Sequence, residues 1–129
     1  MALCYLDSSA LVKLAVHERE SDALRRFLRG NTSLCASAIV RTEVARALLA
    51  LGDAAVARGR EVLARIELVR VNDRVLDDAG RLLPPELRSL DAIHLATAKL
   101  VGGVKIVVTY DQRMASAART LGFRVVAPK

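Results

Sequence analysis

The sequence predicts an α/β fold in which a five-stranded parallel sheet lies between two layers of helices. Short apolar segments alternate along the chain with longer segments of helical periodicity. The short segments are too apolar for either face to meet water. Helices that connect parallel strands cover both faces of such a sheet. The predicted architecture is therefore three-layered, α/β/α.

The strands and helices can be placed in chain order. Strands are expected at residues 3–6, 34–36, 68–71, 106–109 and 124–126. Helices are expected at residues 9–16, 21–29, 38–51, 54–66, 74–83, 90–100 and 112–121. Candidate residues for capping helix starts are Ser37, Asp53, Asp73, Ser89 and Asp111. Helix ends are predicted before Gly30, Gly52, Gly102, Gly122 and the pair Pro84 and Pro85.

A single domain spanning residues 1–129 is expected, because this length suits one hydrophobic core and no linker or repeat interrupts it. No apolar run approaches the ~20 residues that cross a membrane, and residues 1–7 show no basic leader. We therefore expect a soluble, cytoplasmic protein with no membrane partner. Cys4 and Cys35 form no CxxC pair and are expected to stay reduced.

The charge of the chain suggests a polyanionic partner. The net charge is +6, and the basic residues are 16 Arg against 4 Lys. Arginine's planar guanidinium suits phosphate groups, which makes nucleic acid the leading candidate. The alternative is that most of these arginines only cover solvated helix faces.

Four acidic residues are the candidates for chemistry. Asp7 follows the first predicted strand, and Asp111 lies where the fourth strand meets the last helix. The carboxyl ends of strands form the edge of an open α/β sheet where ligands bind, so both should lie at that edge. Asp91 lies in the first turn of a helix, where the helix dipole favours an anion, and Glu43 lies on the helix after the second strand.

Each acid also has a structural explanation. Asp7 could cap the first helix, although either of the two serines that follow could do so equally well. Asp111 is a good N-cap, a role worth ~1 kcal/mol. Glu43 could simply pair with Arg46 on the helix surface. Asp91 could be only a residue that the helix dipole favours, two places after Ser89, but its apolar neighbours would leave it in a half-buried turn where it needs a partner.

If these carboxylates converge, their mutual repulsion requires cations nearby. One or two divalent ions would offset four negative charges. An all-oxygen ligand set favours magnesium or manganese over zinc, and neither histidine lies near a cysteine with zinc-site spacing. This combination is typical of enzymes that act on phosphate esters.

Four stretches of the chain resemble the acidic motifs of PIN-domain toxins of the VapC type. They are YLDSSALVKL at residues 5–14, TEV at 42–44, LDAIHLATA at 90–98 and VTYD at 108–111. Four such motifs in the family's order are a specific signal. The resemblance implies a strand order of 3-2-1-4-5. It also implies a type II toxin–antitoxin system whose toxin hydrolyses RNA and forms a homodimer.

The resemblance further assigns catalytic and metal-binding roles to Asp7, Glu43, Asp91 and Asp111, with Mg²⁺ as the cofactor and Mn²⁺ as an alternative.

His94 is interpreted as a packed, hydrogen-bonded residue rather than a general base. Ser9 and Thr109 are interpreted chiefly as turn residues. Tyr110 is the aromatic residue best placed for base stacking. Candidates for binding RNA phosphates are Lys13, Arg41, Arg46 and Arg113. An apolar groove or ordinary core is expected from Ala45, Leu48 and Leu49.

Two other functions are compatible with parts of the sequence. A catalytically inactive PIN-like module would keep the fold and bind RNA or a protein without cutting. A phosphoacceptor receiver domain also places acids at strand ends, but it needs an acidic pair after the first strand, where Asp7 lies between Leu6 and Ser8.

Overall fold

The computed structural model describes residues 3–30 and 33–129. Over these residues five parallel strands form one sheet in the order β3-β2-β1-β4-β5, which confirms the predicted fold class. The strands are β1 (Leu3–Leu6), β2 (Ser33–Ser37), β3 (Glu67–Val69), β4 (Val104–Val108) and β5 (Arg124–Val126). No helix within the described part of the chain is long and apolar enough to cross a membrane.

Seven helices connect and cover the strands in the described ranges. They are α1 (Ser8–Ala15), α2 (Ser21–Arg29), α3 (Val40–Leu49), α4 (Asp53–Leu63), α5 (Asp73–Gly80), α6 (Ser89–Val101) and α7 (Gln112–Thr120). Asp111 caps α7 as predicted, whereas Asn72 rather than Asp73 caps α5. Asp53 and Ser89 are instead the first residues of their helices. Gly102 ends α6 with a φ of 70°, a conformation that side chains with a Cβ rarely adopt.

Hydrophobic residues are buried on both faces of the sheet, and the alternation of side chains along β1 shows this most clearly. Cys4 and Leu6 belong to a core on one face, together with residues of α1, α3 and α4. Tyr5 belongs to a second core on the opposite face, together with residues of α6 and α7. A strand with both faces covered needs apolar side chains at every position, which explains the continuous apolar run in the sequence.

The topology brings several helix starts to the carboxyl end of the sheet. Strand β1 lies between β2 and β4, with its last residue Leu6 paired with Val108. Helix α1 begins two residues after β1, and α7 begins shortly after β4. Asp7 and Asp111 therefore occupy adjacent strand-to-helix junctions, at the edge predicted for ligand binding.

Candidate active site

A cavity of about 650 Å³ opens at the carboxyl end of the sheet. All four acids singled out in the sequence line it, although they come from four separate parts of the chain. The lining consists of Asp7, Ser8, Ser9, Glu43, Arg88, Ser89, Leu90, Asp91, His94, Asp111, Gln112, Arg113 and Met114.

Asp7 is the most buried of the four acids, with 4% of its surface exposed. Its Oδ1 accepts hydrogen bonds from the Ser9 hydroxyl at 2.6 Å and from the Ala10 amide at 3.2 Å, so Asp7 itself caps α1. Its Oδ2 accepts a hydrogen bond from the Thr109 hydroxyl. Burial raises the pKa of Asp7, and the hydrogen bonds from Ser9 and Thr109 oppose that rise.

The two hydroxyls that hold Asp7 also connect the start of α1 to the end of β4. Ser9 Oγ accepts a hydrogen bond from the Tyr110 amide at 2.9 Å. Thr109 Oγ1 accepts one from the Asp111 amide at 3.0 Å. The turn chemistry predicted for Ser9 and Thr109 is therefore present, and it fixes the backbone next to two of the four acids.

Asp111 combines a helix cap with a place on the cavity wall. Its Oδ1 accepts hydrogen bonds from the amides of Arg113 at 2.8 Å and Met114 at 3.1 Å. No hydrogen bond to its second carboxylate oxygen occurs within the described ranges. One oxygen therefore stabilises α7, and the other remains available to a ligand.

Glu43 is held by His94 rather than by Arg46. Its Oε1 lies 2.7 Å from His94 Nε2, and the His94 Nδ1 atom lies 2.6 Å from the Tyr5 hydroxyl. Within the described residues Arg46 makes no ion pair with Glu43, so the surface pairing considered for this glutamate does not occur. His94 is 1% exposed, which agrees with its interpretation as a packed, hydrogen-bonded residue.

Asp91 lies in the first turn of α6 and is half-buried, and its carboxylate accepts no hydrogen bond within the described parts of the chain. Burial raises the pKa of its carboxyl, and the negative charge of Asp111 raises it further. Asp7 and Glu43 add smaller contributions of the same sign. The three other acids therefore repel the charge of a carboxylate that receives no hydrogen-bond donor within the described residues.

The four carboxylates do not form a closed cage. Within residues 3–30 and 33–129, no three His, Cys, Asp or Glu side chains are arranged to hold one metal ion. The cavity is an open, acidic site rather than a preformed all-protein coordination sphere.

Only one of the four basic residues predicted to meet phosphate lines the cavity, namely Arg113. Lys13 instead pairs with Glu18 and Glu20. Arg41 lines a different groove, and Arg46 lies outside the cavity wall.

Arg88, at the N-cap position of α6, lines the cavity but was not among the predicted phosphate-binding residues. Over residues 3–30 and 33–129, neither Arg88 nor Arg113 forms an ion pair. Both are exposed and also line a second groove beside the cavity. The position of Arg88, two residues before the acidic motif at residues 90–98, could have indicated its place in the cavity wall.

Tyr110 is already engaged by other residues, and the three apolar residues singled out on α3 lie in different surroundings. Lys13 Nζ lies 4.8 Å from the centroid of the Tyr110 ring, and the Tyr110 hydroxyl donates a hydrogen bond to Pro128. One face of the ring is therefore occupied, which weighs against Tyr110 as a base-stacking platform. On α3, Leu48 belongs to the core, Ala45 lines a groove and Leu49 is 62% exposed.

The fold agrees with comparisons to known proteins. A family model described as the PIN domain matches residues 4–120, and the chain belongs to this family. The resemblance expected from the four acidic motifs is therefore confirmed.

Relatives narrow the class to ribonucleases named VapC. The chain is 59% identical to ribonuclease VapC46 of Mycobacterium tuberculosis over 129 residues, covering 99% of each chain. It is similar in fold to Mycobacterium tuberculosis VapC20, a sarcin-ricin loop cleaving toxin, with a TM-score of 0.75, 21% identity and coverage of 97% and 99%. A toxin–antitoxin complex from Klebsiella pneumoniae matches with a TM-score of 0.76, 21% identity and 98% coverage of both chains.

Proposed function

We propose that the chain is a metal-dependent endoribonuclease toxin that hydrolyses RNA phosphodiester bonds in the acidic cavity. One observation carries this proposal: Asp7, Glu43, Asp91 and Asp111 line one cavity at the ligand-binding edge of the sheet. The family membership supports the same reaction, because ribonucleases of the PIN family are metal-dependent as a class.

The residues present suit a hard divalent cation, Mg²⁺ or alternatively Mn²⁺. The Asp91 carboxylate accepts no hydrogen bond in the described ranges, and its pKa is raised by burial and by neighbouring acids, so a cation would relieve that repulsion. The open arrangement also fits magnesium, which is usually bound by one or two carboxylates and keeps several waters. Asp7 and Asp91 are proposed as direct ligands, with Glu43 and Asp111 completing the site or orienting the attacking water.

Such a cation would lower the pKa of a water molecule and stabilise negative charge on the phosphate and the leaving oxygen. The protein's own side chains would orient the groups that take part in the reaction. Ser9 and Thr109 keep the Asp7 carboxylate in one orientation through hydrogen bonds to both of its oxygens. The second oxygen of Asp111 can accept a hydrogen bond from the attacking water, because its first oxygen is committed to α7.

Arg88 and Arg113 are proposed to bind the phosphates that flank the cleavage site. Both lie on the cavity wall, and both continue into the adjoining groove. Arginine binds phosphate through paired N–H donors, and neither guanidinium is engaged by a carboxylate within the described residues. Their positive charge would also offset the repulsion between RNA and the four acids.

The contribution of these arginines can be measured by RNA binding in EDTA, where cleavage is suppressed. Arg88→Gln and Arg113→Gln should each weaken binding and reduce the slope of log affinity against log salt by about 1. Arg119→Gln is the matched control, since Arg119 is an exposed arginine of α7 that does not line either groove. Equal effects of all three changes would contradict a phosphate path at the cavity.

The reaction is tested by incubating structured and unstructured RNAs with the purified protein in Mg²⁺, Mn²⁺ or EDTA. We expect metal-dependent cleavage that leaves 5′-phosphates and is abolished by the double change Asp7→Asn and Asp91→Asn. The control double variant, Asp53→Asn with Asp77→Asn, removes two exposed acids outside the cavity and should cleave normally. A folded wild-type protein that cuts no RNA but binds it would support the inactive-module alternative.

Inhibition by a cognate antitoxin and a homodimeric state are also proposed, on the basis of the VapC relatives and the fold shared with a toxin–antitoxin complex. The acidic cavity suits an antitoxin segment that presents a basic side chain. A dimer would have a mass near twice 13.9 kDa, which light scattering can measure. A cytoplasmic location would follow from the proposed action on cellular RNA.

A further inference from the structure

A series of hydrogen bonds, most of them buried, runs from the end of β2 through Tyr5 and His94 to Glu43. The Ser37 amide donates a hydrogen bond to the Tyr5 hydroxyl oxygen at 3.1 Å. The Tyr5 hydroxyl lies 2.6 Å from His94 Nδ1, and His94 Nε2 lies 2.7 Å from Glu43 Oε1. Tyr5 and His94 are 0% and 1% exposed; His94 and Glu43 both line the cavity, and the series of hydrogen bonds ends there at the Glu43 carboxylate.

The donors and acceptors present determine the direction of each hydrogen bond in this series. The Tyr5 hydroxyl is fully buried, and its hydrogen has one acceptor within the described ranges, His94 Nδ1. A buried hydroxyl without an acceptor is costly, so Nδ1 must accept and the imidazole proton must lie on Nε2. The Nε2–H group then donates to Glu43 Oε1. Each donor in the series points toward the cavity.

The location of Tyr5 and His94 within the core indicates that these two side chains do more than fill space. Tyr5 packs against apolar residues of α6 and α7, such as Leu95 and Met114. Apolar side chains would fill this space without burying polar atoms. The polar atoms of Tyr5 and His94 instead make one outward contact, with a carboxylate of the candidate active site.

We propose that Tyr5 and His94 are positioning residues that hold Glu43 for cation binding. The hydrogen bond from His94 occupies Oε1, while Oε2 receives no donor within the described residues and stays available to a cation. This inference rests on the proposed function. Without His94, the flexible Glu43 side chain can turn away and pair with Arg46, which lies three residues further along α3 and makes no ion pair within the described residues.

The test measures Mn²⁺ affinity by electron paramagnetic resonance of the free ion, with thermal unfolding as a check on folding. His94→Leu should weaken Mn²⁺ binding by roughly 10–100-fold, the usual effect of removing a group that orients a metal ligand. His94→Gln should recover most of the affinity, because its amide nitrogen can donate from the Nε2 position. Thr97→Val is the matched control, since Thr97 is buried on α6 and, within the described residues, its hydroxyl bonds only to Ile93 of its own helix.

A second measurement uses ¹⁵N-histidine NMR, which reports the protonated ring nitrogen whether or not metal is bound. The wild type should show His94 protonated on Nε2, and Tyr5→Phe should lose this preference and weaken Mn²⁺ binding. Wild-type protonation on Nδ1 would overturn the proposal. If His94→Leu fails to fold, the Mn²⁺ affinities of His94→Gln and Tyr5→Phe test the positioning role instead.

The outcomes separate this inference from the proposed function. If wild type binds Mn²⁺ and a folded His94→Leu variant binds it equally well, only the positioning role fails. The same conclusion follows if His94→Gln is no better than His94→Leu while Thr97→Val is normal. If the folded wild type binds no Mn²⁺, the proposed metal-dependent function and this inference fail together.

Discussion

Asp7 and Asp91 line the same cavity, but the protein holds them in opposite ways. Asp7 is almost fully buried and receives hydrogen bonds on both oxygens from Ser9, Ala10 and Thr109. Asp91 is half-buried, receives none within the described ranges and lies in the field of other acids. The first carboxylate is part of the framework that joins α1 to β4, whereas the second is exposed to whatever enters the cavity.

Because Asp7 and Asp91 are held so differently, the four acids should not respond alike to substitution. Removing Asp7 leaves buried donors without an acceptor, which destabilises the fold as well as the site. Removing the charge of Asp91 relieves repulsion and leaves no donor behind. Loss of activity in the two variants would therefore have different structural origins, and measurements of stability without metal can separate them.

The largest effect on stability is expected for Asp7→Ala. The change removes the cap of α1 and leaves the hydroxyls of Ser9 and Thr109 without their acceptor, which should lower the free energy of unfolding by about 1–3 kcal/mol. Urea denaturation in EDTA measures this. Asp77→Ala, at an exposed position on α5, should change stability by less than about 0.5 kcal/mol. Equal stability of the two variants would show that the bonds to Asp7 contribute little.

A smaller loss of stability is expected for Thr109→Val. Valine has nearly the same shape but removes the donor to Asp7 Oδ2 and the acceptor for the Asp111 amide. The free energy of unfolding should fall by roughly 1 kcal/mol. Thr109→Ser keeps the hydroxyl and should recover most of the loss, so a serine variant as unstable as valine would point to the methyl group instead.

The smallest change in stability is expected for Asp91→Asn, and this change should be a gain rather than a loss. Without divalent ions at neutral pH the variant should be more stable than the wild type, by less than about 1 kcal/mol because solvent screens a half-exposed charge. Thermal unfolding in EDTA tests this. Mg²⁺ should raise the melting temperature of the wild type more than that of the variant.

The gain from Asp91→Asn should depend on pH in a defined direction. The pKa of Asp91 in the folded protein is raised above its ordinary value of 3.8. A carboxyl with a raised pKa contributes stability that is fully present below 3.8 and is lost as the pH rises through the folded pKa. The variant should therefore gain on the wild type as the pH increases from about 4 to 7. A difference that is constant with pH would contradict the repulsion at Asp91.

Much of the fold could be predicted because it depends on local patterns. Apolar strand segments alternate with amphipathic helices, and Asp111 sits where an N-cap is needed. The strand order came from the resemblance, since sequence spacing alone does not show which parallel strands are neighbours. The predicted caps of α4, α5 and α6 were wrong by one residue, because Asp53, Asp73 and Ser89 are good first-turn residues as well as good caps.

The contacts that organise the site were harder to predict, because they join residues far apart in sequence. The Tyr5 to His94 bond spans 89 positions, and the Thr109 to Asp7 bond spans 102. Tyr5 was visible only as one residue of an apolar strand. Its hydroxyl was nevertheless a signal, because a tyrosine in a buried strand needs a polar partner.

Anomalous diffraction from crystals grown with Mn²⁺ tests most directly whether the acidic cavity binds a catalytic divalent cation. The predicted result is a peak in the cavity within about 2.0–2.6 Å of an Asp91 oxygen and of at least one other acid, and absent in Asp91→Asn crystals. A well-ordered cavity that holds no anomalous peak at saturating Mn²⁺ would contradict the binding of a catalytic cation there.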